Sequence, residues 1–127
     1  MEHQKAGKEM SEDLRCMYAE MLNGKRVTLE IASVREAPDP LYCQGTSTGA
    51  WDVIFVQKDK GGKVLYLQVP EPNQHGKSTA LLRQYVMACG GTPTQKDAGK
   101  KITLYPIASK KSVTGEAIRI AIPEQHA

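Results

Sequence analysis

The sequence predicts an all-β domain, a small five-stranded barrel with one inserted helix. Three features of the sequence lead to this prediction. Five short segments carry the period-two alternation or the continuous apolar run that is typical of strands. Two pairs of these segments are separated by short turns containing glycine and lysine, which favours antiparallel hairpins. One segment between the third and fourth strands has apolar residues at helical spacing.

The first predicted strand lies in KRVTLEIASV, where Val27, Leu29 and Ile31 point to one face. After the long loop REAPDPLYCQGTSTGA, the segments WDVIFVQ and VLYLQV form the second and third strands, joined by the turn KDKGGK. The segments KITLYPI and EAIRIAI form the fourth and fifth strands, joined by the basic hairpin ASKKSVTG. The inward-facing residues of these last two strands are Ile102, Leu104, Ile118, Ile120 and Ile122.

Two helices are predicted. A short N-terminal helix opens at Ser11, and its apolar stripe is formed by Leu14, Met17, Tyr18, Met21 and Leu22. The inserted helix runs from about Ser78 to Cys89, and Gly90-Gly91 ends it. Ser78 or Thr79 is expected to cap its first turn, because a hydroxyl accepts from a free backbone N–H there.

The order of these elements is strand, long loop, hairpin, helix, hairpin. This is the order of an OB-fold, a partly open Greek-key barrel of five antiparallel strands. No alternation of strands and helices supports a parallel sheet. We therefore predict a polar tail with the short N-terminal helix in residues 1–22, and the OB-fold domain in residues 23–127.

Composition narrows the class of protein. A chain of 127 residues predicts one domain, and 40% hydrophobic residues argue against disorder. No run approaches the ~20 apolar residues of a membrane span, and the N-terminus lacks the apolar core of a signal peptide. Three widely spaced cysteines without a C-x-x-C pair disfavour a disulfide framework or a zinc site, so the expected location is the cytoplasm.

The stretch NQHGKST ends like a phosphate-binding loop, but it does not match the pattern G-x-x-x-x-G-K-[ST]. Glu71 stands where the first glycine is required, between Pro70 and Pro72. A carboxylate repels phosphate, and each proline lacks an N–H donor. With no paired catalytic acids and His75 alone in a loop, we expect neither an enzyme nor a cofactor.

Aromatic and basic residues indicate binding of a nucleic acid. Tyr66 and Tyr105 alternate with apolar neighbours and therefore face outward, and Trp51 opens the second strand, whereas Phe55 and Tyr85 are expected in the core. Residues 100–119 carry five cations and one carboxylate, an excess larger than the net charge of +3 of the whole chain. The predicted nucleic-acid-binding residues are Arg26, Trp51, Lys63, Tyr66, Lys101, Tyr105, Lys110, Lys111 and Arg119.

The segments GKRVTLEIASV, KVLYLQV and GKKITLYPIASKKSVTGEAIRI resemble the small OB-fold proteins that phages and mobile elements encode beside replication and recombination genes. The resemblance covers roughly residues 23–122 and is tight over residues 99–120. It implies binding of single-stranded DNA, or support of its recombination. The acidic stretch with a tryptophan that often precedes this motif in the family is replaced by TPTQKDA in this chain.

The leading hypothesis is a non-enzymatic protein that binds single-stranded DNA with little sequence preference, across the second and third strands of the barrel and the flanking loops. Replication or recombination proteins are possible further partners, and a homo-oligomer stays open. The alternative is a protein-interaction adaptor that uses the barrel and the apolar N-terminal helix. The choice between DNA and RNA also stays open.

Overall fold

A computed structural model of the chain describes residues 14–38, 49–110 and 115–122. In chain order its elements are the strand β1 (Leu14–Cys16), the 3₁₀ helix η1 (Ala19–Leu22), the strands β2 (Val27–Glu36), β3 (Ala50–Lys58) and β4 (Val64–Pro70), the helix α1 (Ala80–Cys89), the 3₁₀ helix η2 (Gln95–Asp97), and the strands β5 (Lys101–Ala108) and β6 (Glu116–Ile120).

The strands form one curled, mixed sheet in the order β1-β4-β3-β2-β5-β6. The strand β2 is its centre, because its first half pairs with β5 and its second half pairs with β3. A register shift between Ile31 and Ser33 separates the two halves. Such a bulge bends a strand and increases its twist, which lets β2 serve both halves of the sheet. The prediction of a barrel-like, mainly β fold with one helix is confirmed at this level.

The core lies on the concave face of the sheet, closed by α1 and η1. The alternation read from the sequence is confirmed for β2, β5 and β6, where the predicted inward residues Leu29, Ile31, Ile102, Leu104, Ile118 and Ile120 are buried. The prediction for Ile122 is wrong, since its side chain is 41% exposed. The ladder of β6 ends at Ile120, and Ile122 therefore lies past the paired part of the strand.

The helix α1 closes one side of the core as predicted, burying Leu82, Tyr85 and Cys89. The Thr79 hydroxyl caps it by accepting the N–H of Leu82 at 3.1 Å. Gly90 ends it in the left-handed region, at a φ of 93°, where a glycine carries no steric cost.

The predicted N-terminal helix is wrong over the described residues. Leu14–Cys16 is instead a sixth strand, which pairs in parallel with β4. The N–H of Met17 then donates to the carbonyl of Tyr66 at 2.8 Å, and the chain continues as η1. An isolated helix of this length is marginal in water, whereas the open edge of β4 offers unpaired backbone groups. The strand count of five is corrected to six for this reason.

Candidate nucleic-acid interface

Three strands of the sheet bring one aromatic and two cationic side chains into a single row. Tyr105 of β5 is the register partner of Arg119 of β6. The pairing of β2 with β5 runs to Val27 opposite Leu104, so Arg26 lies beside Tyr105. The guanidinium carbon of Arg26 lies 4.8 Å from the centroid of the Tyr105 ring, which is within cation–π range. We call these three residues the Arg–Tyr–Arg row.

The Arg–Tyr–Arg row lies on the convex face of the sheet. Leu104 and Ile120, which alternate with its members, are fully buried in the core. Arg26 is exposed, and Tyr105 and Arg119 are half-buried. One Nη of Arg119 donates to a neighbouring carbonyl oxygen at 2.9 Å, which uses one of the five guanidinium N–H groups. The row therefore presents part of an aromatic ring and two cations to solvent.

Beyond the row, the convex face of β2 and β5 carries polar side chains. The hydroxyls of Thr28 and Thr103 lie 2.7 Å apart, and one donates to the other. Beyond them, Glu30 is the register partner of Lys101. On this face, along the part of β2 that pairs with β5 and along β5 and β6, the described residues carry one carboxylate, that of Glu30, and three cations, those of Arg26, Lys101 and Arg119. The face is therefore cationic and contains a hydroxyl pair that can contact phosphate.

The two lysine-containing hairpins leave the sheet at the same end. This follows because β3 and β5 both run antiparallel to β2, and each enters a hairpin at its C-terminal end. Lys110 is exposed in the turn after β5, and the N–H of Ser109 closes that turn on the carbonyl of Gly115 at 2.9 Å. Lys63 is exposed at the end of the β3–β4 hairpin. Lys111 lies outside the described residues.

Trp51 does not join the Arg–Tyr–Arg row. Its register partners are Glu36 of β2 and Val69 of β4, and its ring is half-buried against the core. It lines a shallow depression of about 210 Å³ beside Pro93 and Thr94. Val53 and Phe55, which follow Trp51 at every second position of β3, are buried, so the Trp51 ring lies on the concave side of β3 and not on the convex face.

Tyr66 lies on the convex side of β4, between Ile54 of β3 and Cys16 of β1. Burial raises the pKa of Tyr66 to about 12, and the neighbouring Cys16 adds to this shift. The strand β1, which the sequence did not predict, therefore covers part of this ring. Tyr66 is separated from the Arg–Tyr–Arg row by β3 and β2.

The convex face of β3 and β4, where the OB-fold hypothesis expects ligand, carries a buried polar network. Asp52 and Gln68 are each 2% exposed. The carboxylate of Asp52 accepts from the Gln68 amide at 3.1 Å and from the Nε of Arg35 at 3.1 Å. The charge of Arg35 is thus matched by a carboxylate, and this part of the face offers phosphate little net attraction.

The loop before α1 is built on an asparagine, and it is not a phosphate cradle. The Asn73 side-chain oxygen accepts the N–H groups of His75 at 2.9 Å and Lys77 at 3.0 Å. The N–H of Gly76 donates to the Asn73 carbonyl at 2.8 Å. The N–H donors that a phosphate-binding loop directs at its ligand are therefore turned onto the chain itself.

Sequence reasoning missed a second pairing of arginine with tyrosine. The guanidinium of Arg15 lies 6.0 Å from the ring centroid of Tyr18 and donates to its hydroxyl at 3.2 Å. Arg15 also forms an ion pair with Asp59 of the β3–β4 hairpin at 3.1 Å. The backbone N–H of Lys63, together with Arg15, holds the pKa of Asp59 below its usual value. Arg15 and Tyr18 are three residues apart in the sequence, and this spacing predicted a helix rather than a contact between the two side chains.

Among the described residues, no group of three or more His, Cys, Asp or Glu side chains is arranged to hold a metal ion. None of the helices in the described part of the chain has the length and apolarity to cross a bilayer.

Comparison with known proteins identifies no relative of this chain. The chain matches no protein-family model, and neither a search of curated proteins nor a search of solved structures finds a match. The interface therefore rests on geometry and charge alone.

Proposed function

We propose that this protein is an OB-fold protein that binds single-stranded DNA without strong sequence preference, and that it supports replication or recombination of a phage or mobile element. The genetic setting is what the resemblance of residues 99–120 implies. The OB-fold proposal is supported by the strand order β4-β3-β2-β5-β6, with α1 between β4 and β5. The added strand β1 occupies the outer edge of β4.

The Arg–Tyr–Arg row is the observation that carries the DNA-binding proposal. Sequence-independent binding of a single strand needs aromatic faces for bases and cations for the backbone. Tyr105 supplies the aromatic ring, and Arg26 stacks on it at 4.8 Å. A base that joins this stack meets a ring or a guanidinium plane, and every base has a face that suits both. Arg119, Lys101 and Lys110 then lie where neighbouring phosphates can be neutralised.

The adaptor alternative has lost the feature that favoured it. It relied on an apolar N-terminal helix that needed a partner to cover it. Met17, Ala19 and Leu22 are instead 3–4% exposed and belong to the same core cluster as the sheet. Of the other residues of the predicted stripe, Leu14 and Met21 are half-buried and Tyr18 is 42% exposed, so a single exposed ring remains rather than an apolar face that a partner must cover.

The proposal is tested by fluorescence anisotropy of a labelled oligothymidylate across a salt series. If about four cations contact phosphates, the plot of log K against log salt concentration should fall with a slope of about −3, because single strands release ~0.7 counterions per contact. An oligonucleotide of mixed sequence should bind with an affinity within about tenfold, since stacking tolerates every base. Absence of binding at low salt would remove the proposal.

Two matched variants test whether the convex face that carries Arg26 causes the salt dependence of binding. Arg26→Ala should reduce the salt slope by ~0.7. Arg83→Ala removes an exposed arginine from α1, whose guanidinium contacts the Ser78 carbonyl at 2.6 Å. It should leave the slope unchanged, and equal effects of the two variants would contradict the assignment.

A further inference from the structure

We propose that Arg15 and Tyr18 form a second DNA-contacting station, joined to the Arg–Tyr–Arg row by the segment that contains η1. The inference rests on the proposed function and names a part of the site that the sequence did not indicate. The same chemistry recurs in both places, since an arginine approaches a tyrosine ring on the exterior of the molecule. Tyr18 is 42% exposed, more than any other described large apolar or aromatic residue in this segment.

The hairpin between β3 and β4 makes the second station cationic. Arg15 reaches this hairpin through its ion pair with Asp59 at 3.1 Å. The exposed lysines Lys58, Lys60 and Lys63 surround the same turn. Asp59 is the one carboxylate of the turn, and its oxygens are bound by Arg15 and by the N–H of Lys63. Three lysines thus remain to attract phosphate beside an aromatic ring.

The two stations are close together in the sequence. Tyr18 immediately precedes η1, and Lys25 and Arg26 follow it closely. Eight residues of chain lead from Tyr18 to Arg26, so their Cα atoms can be at most roughly 29 Å apart. η1 packs against β5 and β6 from the side of the core, through the buried Ala19 and Leu22.

The acidic side chain of this segment does not face solvent. Between Tyr18 and Arg26 the only carboxylate is that of Glu20. Both of its oxygens are shielded from solvent, and among the described residues they have no hydrogen-bond partner. The solvent-facing charges next to this segment are therefore those of Lys25 and Arg26.

Two stations predict that affinity depends on ligand length. A short oligonucleotide occupies one station, whereas a longer one reaches the second by an intramolecular step at high effective concentration. Oligothymidylates of roughly 4 and roughly 16 nucleotides span the site sizes of one OB barrel. For the full chain, Tyr18→Ala should weaken binding of the long oligonucleotide about tenfold, as expected for loss of one stacked base. It should change binding of the short one less than about twofold.

Tyr18→Phe is the matched variant, because it keeps the ring and removes the hydroxyl that Arg15 contacts at 3.2 Å. It should bind the long oligonucleotide as the parent does, and thermal unfolding followed by circular dichroism checks that both variants fold. If Tyr105→Ala weakens binding while Tyr18→Ala leaves both oligonucleotides unaffected, the second station is refuted and the proposed function stands. If the parent chain binds neither oligonucleotide, both proposals fall.

Discussion

Asp97→Ala should lower the free energy of unfolding by about 1–3 kcal/mol, the cost of leaving a buried hydrogen-bond donor without its acceptor. Asp97 is 2% exposed. One carboxylate oxygen accepts from the Tyr85 hydroxyl at 2.7 Å and from the N–H of Thr94 at 3.2 Å. The other accepts from Lys100 Nζ at 3.0 Å. Alanine would leave all three donors without this acceptor.

The loss of stability should not be confined to η2, because the hydrogen bonds around Asp97 connect η2 with α1 and with the start of β5. Lys100 also donates to the carbonyl of Cys89 at the end of α1, at 2.7 Å. Burial and the neighbouring Asp97 raise the pKa of Tyr85, so its hydroxyl stays protonated and remains a donor. The N–H of Gly99 donates to Ile31 of β2 at 2.7 Å. The network therefore fixes the entry of β5, the strand that carries Tyr105.

Urea unfolding followed by circular dichroism would measure the effect. Asp97→Asn keeps the shape of the side chain and one acceptor oxygen, so it should lower the free energy of unfolding less than Asp97→Ala does. Lys96→Ala, an exposed neighbour in η2, is the control and should stay within about 0.5 kcal/mol of the parent. A loss below about 1 kcal/mol for Asp97→Ala would mean that this network contributes little to the fold.

Tyr105→Ala should weaken binding of oligothymidylate by about 1–3 kcal/mol, which is roughly fivefold to 150-fold. The guanidinium of Arg26 lies 4.8 Å from the centroid of this ring, so removal of the ring also leaves Arg26 without its platform. Tyr105→Phe keeps the aromatic face and should bind within about threefold of the parent. Anisotropy titration at one low salt concentration measures both variants.

The matched comparison is Tyr66→Ala, on the convex side of β4. This ring is partly covered by β1, and it lies beside the paired charges of Arg35 and Asp52. We expect its removal to change affinity less than removal of Tyr105. Equal losses from the two variants would instead indicate a path across β3 and β4, as the OB-fold analogy alone suggests.

Sequence alone predicted most of the sheet because its strands follow local patterns. Leu104 and Ile118 are inward by simple alternation, and Thr79 caps α1 as its position indicates. Arg26 was correctly expected on the outer face of its strand. Its position beside Tyr105 follows only from the pairing of β2 with β5, which joins residues nearly eighty positions apart and has no local signal.

The parts that sequence did not predict were decided by tertiary contacts. The segment containing Leu14 has helical spacing, but the open edge of β4 made it a strand. Lys100 belongs to the basic excess of residues 100–119, yet it is bound to Asp97 and to the end of α1. Trp51 is half-buried against the core rather than set beside Tyr105. Charge and aromatic counts alone cannot distinguish such structural residues from those that face a ligand.

Backbone amide chemical shifts of the ¹⁵N-labelled chain, followed while an oligothymidylate is added, would locate the ligand on the sheet. We expect the largest changes at Arg26, Thr28, Thr103, Tyr105 and Arg119, the residues of the cationic face of β2, β5 and β6. Changes confined to Asp52, Ile54 and Gln68 on the other half of the sheet, or no changes at low salt, would contradict the proposed interface.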